Sequence, residues 1–185
     1  MRANEYDPKC DSCKISRGFK QVLGKTVIEL DSGWVLNHYG AHEQTFLGWL
    51  ALQPRYHRME ISDLSKDEVM ALGTHVQRID SALRQYWSIV FANDPIESLY
   101  VTCFHEGRYD KPTASPYHLH MHLIPRTRKF DALLRMTDGS TIVAWDIYKI
   151  VKHPDFPQEY AITRQLCFAI AGVNILLLGP IPSFG

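Results

Sequence analysis

Residues 117–125, Tyr-His-Leu-His-Met-His-Leu-Ile-Pro, set histidines at alternate positions: His118, His120 and His122. Imidazole serves as nucleophile, general acid or base, or metal ligand near neutral pH. A period of two fits a β-strand, with the three rings on one face and Leu119, Met121 and Leu123 on the other. A helix would align His118 with His122 and turn His120 away. Each ring has polar nitrogens that need partners, so such a row is costly unless it does chemistry. The bland alternative is a solvated strand that happens to carry histidines. The middle ring is best placed as nucleophile, because its neighbours lie roughly 7 Å either side along the strand and can touch the same substrate group. If one nitrogen of His120 donates to a backbone carbonyl, the other aims a lone pair at an electrophile. Ser115, just before the strand, could donate its hydroxyl to a developing oxyanion, although a loop serine is more often simply solvated.

Several elements must hold this row in place. Thr26–Leu30 and Trp34–Asn37 are short β-prone runs around Asp31-Ser32-Gly33, a hairpin signal. Phe46–Leu52 reads as an apolar strand closed by Pro54. Ser65-Lys66-Asp67-Glu68 has the form of a capping box. It opens a helix whose apolar stripe runs through Val69, Leu72, Val76, Ile79, Leu83 and Tyr86 and should cover a sheet. Asn93-Asp94-Pro95 ends that helix, Ser98–Phe104 reads as a strand, and a loop over 106–116 leads to the histidines. Glu159–Ile170 reads as a further helix. Short connections imply an α+β domain, a mainly antiparallel β-sheet with packed helices.

The chain divides into an irregular polar arm (1–20) holding Cys10-Asp11-Ser12-Cys13, a main domain (21–165) and an apolar C-terminal segment (166–185). At 185 residues, with 20 basic and 20 acidic side chains, it is long enough for one good core and carries no net charge. Nothing resembles the basic footprint of a nucleic-acid-binding protein, so a phosphate ligand must be held by local groups. The apolar run 166–178 is too short to span a bilayer, and no membrane partner is expected. Four cysteines make no disulfide framework. The first ten residues lack the apolar region of a secretory signal, so cytoplasmic localisation is the expectation. By itself the Cys-x-x-Cys is two solvated thiols, a redox pair or half of a zinc site. His38, His42, His75 and His153 read as surface or helix residues, and Cys103 as a small packed hydrophobe.

His118-Leu-His120-Met-His122-Leu-Ile resembles the His-φ-His-φ-His-φ-φ signature of the histidine triad (HIT) superfamily of nucleotide hydrolases and transferases. The resemblance extends over about residues 24–128. It takes in Leu50-Ala-Leu-Gln-Pro-Arg-Tyr-His57 before the capped helix, and Pro125-Arg126 after the triad. It implies a HIT-like fold in which His120 attacks the α-phosphorus of a nucleotide and forms a covalent nucleotidyl-histidine. Water or another acceptor then releases the nucleoside monophosphate. His122 and Ser115 would contact the phosphate, and Asn37 the ribose. His105-Glu106-Gly107 stands where the family often has Asn-x-Gly, which puts His105 at the substrate and leaves leaving-group recognition divergent. The third histidine, where the dinucleotide phosphorylase branch has glutamine, favours a hydrolase.

Several superfamily members complete a Cys-x-x-Cys with the histidines equivalent to His57 and His118. The resemblance thus implies a structural zinc held by Cys10, Cys13, His57 and His118. It also implies a small nucleotide substrate, such as a dinucleoside polyphosphate or nucleotide phosphoramidate, and a homodimer. Two other readings stay open: a nucleotide-binding regulatory module without significant turnover, and a metal-dependent hydrolase ligated by the histidine row.

Overall fold

The computed structural model describes residues 6–22, 27–39, 48–103 and 115–129. Its elements are α1 (Asp11–Ser16), β1 (Val27–Leu30), β2 (Trp34–His38), β3 (Leu50–Pro54), α2 (Lys66–Val90), β4 (Ser98–Thr102) and β5 (Met121–Arg126). The strands form one sheet in the order β1-β2-β3-β5-β4, and each neighbouring pair is antiparallel. This is the expected α+β architecture. The hairpin between β1 and β2 turns at Ser32 and Gly33, which both take left-handed φ values of 55° and 73°.

Strand register assigns the side chains to two faces. Leu36 pairs with Leu52, and Leu52 pairs with Met121; Leu50 pairs with Leu123. These side chains, with Ile28 and Trp34, join Ile79, Leu83 and Trp87 of α2 in the apolar core. The opposite face carries Asn37, Ala51 and His122 in one row across β2, β3 and β5. The period of two therefore sends Leu119, Met121 and Leu123 to the core and leaves His122 for the other face.

Helix α2 begins as its sequence requires. The Ser65 hydroxyl accepts the Glu68 amide at 3.2 Å, and Glu68 Oε2 accepts the Ser65 amide at 2.6 Å. Its buried face is not the apolar stripe alone, since Val69 is 48 % exposed while Glu68 and His75 are buried. Buried Glu68 is held through Oε2, which takes the cap amide and Arg58 at 3.2 Å, while its Oε1 has no hydrogen-bond partner among the described residues. His75 donates from Nε2 to the Asp31 carbonyl at 3.0 Å. The expectation of surface or helix histidines holds at His75, which lies in α2, and fails at His38, which is buried in β2. The tryptophans contribute more core than the stripe suggested: Trp34, Trp49 and Trp87 are all buried.

Three sequence boundaries shift. The arm is not wholly irregular, because Cys10 caps α1 with its sulfur. The third strand starts at Leu50 and the fourth stops at Thr102. The ladder of β5 begins only at Met121. Extending the β3–β5 pairing from Leu52–Met121 would set Leu119 opposite Pro54. Proline has no amide hydrogen to give. The Pro54 carbonyl is instead taken by the His118 ring, and the Leu119 amide turns to the Arg58 carbonyl. His118 and His120 thus stand in an extended lead-in to the strand. Phe46, His42, His153, the 159–170 helix and the 166–185 segment lie outside the described residues.

Candidate active site and metal centre

Cys10, Cys13, His57 and His118 converge from α1, the turn after β3 and the lead-in to β5. One ligating atom from each lies within 4.8 Å of all the others. Among the described residues this is the group of three or more metal-binding side chains that comes together, and His120 and His122 are not in it. His118 Nδ1 is 3.5 Å from both thiol sulfurs, and His57 Nδ1 is 3.4 Å from the Cys13 sulfur. A tetrahedral zinc with bonds of about 2.3 Å to sulfur and about 2.0 Å to nitrogen requires sulfur–nitrogen edges of about 3.5 Å. Three of the six edges therefore already have the length a zinc tetrahedron requires. His118 donates from Nε2 to the Pro54 carbonyl at 2.9 Å, which leaves the Nδ1 lone pair on the thiol side. Burial pushes the Cys10 thiol up to about 12 and the His118 ring down to about 4. A bound cation would oppose the first shift and draw a thiolate from Cys10.

The other two histidines face different partners. His120 Nδ1 donates to the His118 carbonyl at 2.7 Å, which places its lone pair on Nε2. The indole N–H of Trp49 donates to His122 Nδ1 at 2.9 Å. An indole can only donate, so neutral His122 carries its proton on Nε2. Burial first, then the neighbouring His120, holds the His122 ring down to about 3, keeping it neutral at physiological pH. The two rings meet edge to face with centroids 4.6 Å apart. A ring with its lone pair on Nε2 thus adjoins a ring whose Nε2 is a donor.

Ser115 sits close to the arm: the Asp11 amide donates to its hydroxyl oxygen at 2.8 Å. The serine oxygen is thereby tied to the residue following Cys10. Asn37 shares the sheet row of His122, two strands away and so about 10 Å across. It is buried; its amide donates to the His38 carbonyl at 2.9 Å, and its Oδ1 has no hydrogen-bond partner among the described residues. His105 lies outside the described residues.

Sequence reasoning missed the aromatic wall of this site. Tyr39 stacks on Trp49 at 4.6 Å, and its ring also lies 6.2 Å from His120 in a near-parallel arrangement. Tyr39 meets His122 edge-on at 4.5 Å. Both aromatics flank described strand ends, and their alternation with core residues His38 and Leu50 is the signal that could have turned them to the histidine face.

No protein-family model matches the sequence, and no curated protein matches it. Among solved structures, the chain is similar to a Hit-like protein from Bartonella henselae, described as involved in cell-cycle regulation and crystallised with an unknown ligand. The TM-score is 0.53 at 15 % identity, over 92 % of this chain and 98 % of that one. It is also matched by a Zn-bound histidine triad family protein from Mycobacterium smegmatis, with a TM-score of 0.47 and 17 % identity over 89 % of this chain and 95 % of that one. A hypothetical histidine triad nucleotide-binding protein from Sulfolobus tokodaii matches with a TM-score of 0.48 and 13 % identity, over 89 % of this chain and 93 % of that one.

Proposed function

We propose that this chain, a histidine triad protein by its fold and by its His118-Leu-His120-Met-His122-Leu-Ile motif, is a nucleotidyl hydrolase or transferase. Its substrate is a dinucleoside polyphosphate, a nucleotide phosphoramidate or a related adenylylated compound. The observation that carries this reading is the complementary pair at the end of β5. His120 holds its proton on Nδ1 against the His118 carbonyl at 2.7 Å, and His122 beside it holds its proton on Nε2. One ring is set to attack an electrophile, the other to donate to an oxygen on it.

In the first step the His120 Nε2 lone pair bonds to the α-phosphorus while the bond from phosphorus to the leaving oxygen or nitrogen breaks. The leaving group departs with that electron pair and takes up a proton. His122, through Nε2–H, stabilises the charge on a non-bridging oxygen. Ser115 accepts from the Asp11 amide and donates weakly to the Pro116 carbonyl at 3.5 Å, a long bond that its hydroxyl would exchange for a second phosphate contact. Water, or another acceptor, then attacks the phosphorus, loses a proton and releases the nucleoside monophosphate from His120. Asn37, on the row of His122, suits a ribose hydroxyl with its buried Oδ1. His105 would lie toward the leaving group, as the triad resemblance implies.

Cys10, Cys13, His57 and His118 would hold a zinc ion, as their sulfur–nitrogen spacing fits. With four protein ligands it would be structural, supplying a rigid anchor and no open position for substrate. His118 would join the two sites, its ring on the metal side and its carbonyl on His120. The reading with a catalytic metal on the histidine row loses support here, because the three Nδ1 atoms turn to a thiol pair, a carbonyl and an indole.

The test is a trap. The protein is incubated with labelled adenosine phosphoramidate and dinucleoside polyphosphates, quenched, and searched by mass spectrometry for adenylyl-His120. His120→Ala is expected to fold normally and lose turnover by more than about a thousandfold. Residual activity within about tenfold of the natural protein removes His120 as nucleophile. Tight binding of nucleoside monophosphate with no product across the panel would favour the regulatory module.

A further inference from the structure

The most consequential contact outside the histidine row is the one from Trp49 to His122. Both side chains are 1 % exposed, and the indole nitrogen lies 2.9 Å from Nδ1. The indole has one hydrogen and no acceptor. If His122 carried its proton on Nδ1, two N–H groups would face each other in a buried site. If it were protonated on both nitrogens, the same clash would arise with a net charge added. Trp49 therefore admits a single form of the ring.

The surroundings hold this geometry in place. Gly48, directly before Trp49, has φ +82°, and a Cβ there would come within 2.8 Å of the Trp87 ring and 2.9 Å of Pro125. The chain can take this turn into β3 only with glycine, and the turn sets where Trp49 departs from the backbone. The Tyr39 amide bonds to the Trp49 carbonyl at 2.8 Å, and the two rings stack at 4.6 Å. Tyr39 also packs edge-on against His122 at 4.5 Å, opposing rotation of the imidazole.

We propose that Trp49 is a positioning residue that sets the tautomer of His122 and thereby makes Nε2 a hydrogen-bond donor toward an anionic phosphate. This rests on the nucleotidyl-transfer reading only for what the donor does; the setting of the tautomer stands on the geometry of the protein alone. The opposite tautomer would present a lone pair to a phosphate oxygen and repel it. Trp49 thus fixes the sign of the His122–substrate interaction without touching substrate itself.

Two variants test it. Trp49→Phe removes the donor and some volume, and an analogue with sulfur in place of the indole N–H removes only the donor. Nitrogen NMR on histidine-labelled protein without substrate should find natural His122 protonated on Nε2 and not on Nδ1. Both variants should show mixed tautomers. With adenosine phosphoramidate or a dinucleoside polyphosphate, kcat should fall about tenfold to a hundredfold, the effect of one buried hydrogen bond. KM should move by less than about threefold, since the oxygen gains most charge in the transition state. Should Trp49→Phe fail to fold, the sulfur analogue and the natural protein still decide. A proton on Nδ1 of natural His122, or an unchanged Nε2–H pattern in the analogue, overturns the proposal. If the tautomers shift as expected while the natural protein turns over none of the nucleotides, the role of Trp49 is upheld and the nucleotidyl reading fails.

Discussion

The neutral, buried state of His122 makes acid stability a direct measure of its environment. In the fold its pKa is lowered to about 3, with burial the main cause and His120 the second, against 6.5 for the unperturbed ring. The charged form is thus favoured by unfolding. Stability from this ring is complete above pH 6.5 and is lost as pH falls toward 3. Between neutral pH and about pH 5 the ring crosses about 1.5 units below its unfolded value. At about 1.36 kcal/mol per unit this costs about 2 kcal/mol. Because pH 5 lies well above the folded value, that figure is set by the unfolded pKa and the chosen pH. His122→Gln is the matched control: its amide oxygen can accept from Trp49 and its NH2 can donate where Nε2–H stands, but it does not titrate. Urea unfolding of both proteins at about pH 7.5 and about pH 5 gives four free energies. Groups shared by the two, including Asp11, whose carboxyl Lys20 holds below its usual range, cancel in the difference. The natural protein should lose about 2 kcal/mol more than the variant on acidification. Equal losses would refute the assignment of His122 as a neutral ring enforced by burial.

Cys13 spans both histidines of the metal centre, at 3.4 Å from His57 and 3.5 Å from His118. Protein purified without added zinc should hold about one zinc per chain by elemental analysis, and Cys13→Ala should lower this to below about 0.2 and reduce Tm; an unchanged ratio would remove the site. Gly48→Ala should destabilise the fold by about 1–3 kcal/mol in urea, since the new methyl would combine a left-handed φ with 2.8 Å and 2.9 Å contacts. A loss under about 0.5 kcal/mol would mean that Trp87 and Pro125 can move aside.

The parts of the fold legible in the sequence are those written in local spacing. A period of two sent Leu119, Met121 and Leu123 to the core, and Ser65 with Glu68 marked where α2 starts. What was illegible depends on partners distant along the chain. His75 is a helix residue as the sequence allows, but its burial rests on the carbonyl of Asp31, 44 residues away, and no local pattern reports it. Glu68 widened the buried face of α2 because Arg58 and the helix cap hold one oxygen of a carboxylate that composition assigns to solvent. The link from Trp49 to His122 spans 73 residues and hinges on a left-handed glycine that no periodicity reports. Polar burial is a property of pairs, and a sequence lists its members singly.

The same point separates the three histidines, which spacing alone makes equivalent. Their Nδ1 atoms end on three different groups: thiols for His118, a carbonyl for His120 and an indole for His122. A thiol hydrogen or a metal cation is compatible with an acceptor at Nδ1, a carbonyl demands a donor, and an indole demands an acceptor. Chemistry is therefore assigned to each ring by what stands behind it. Pro54 makes this possible: with no amide hydrogen opposite Leu119 it ends the ladder at Met121, and its carbonyl receives the His118 ring. Had the ladder continued, His118 and His120 would belong to regular sheet. The irregular step before the strand is what allows one short segment to serve the proposed metal site and the proposed nucleophile at once.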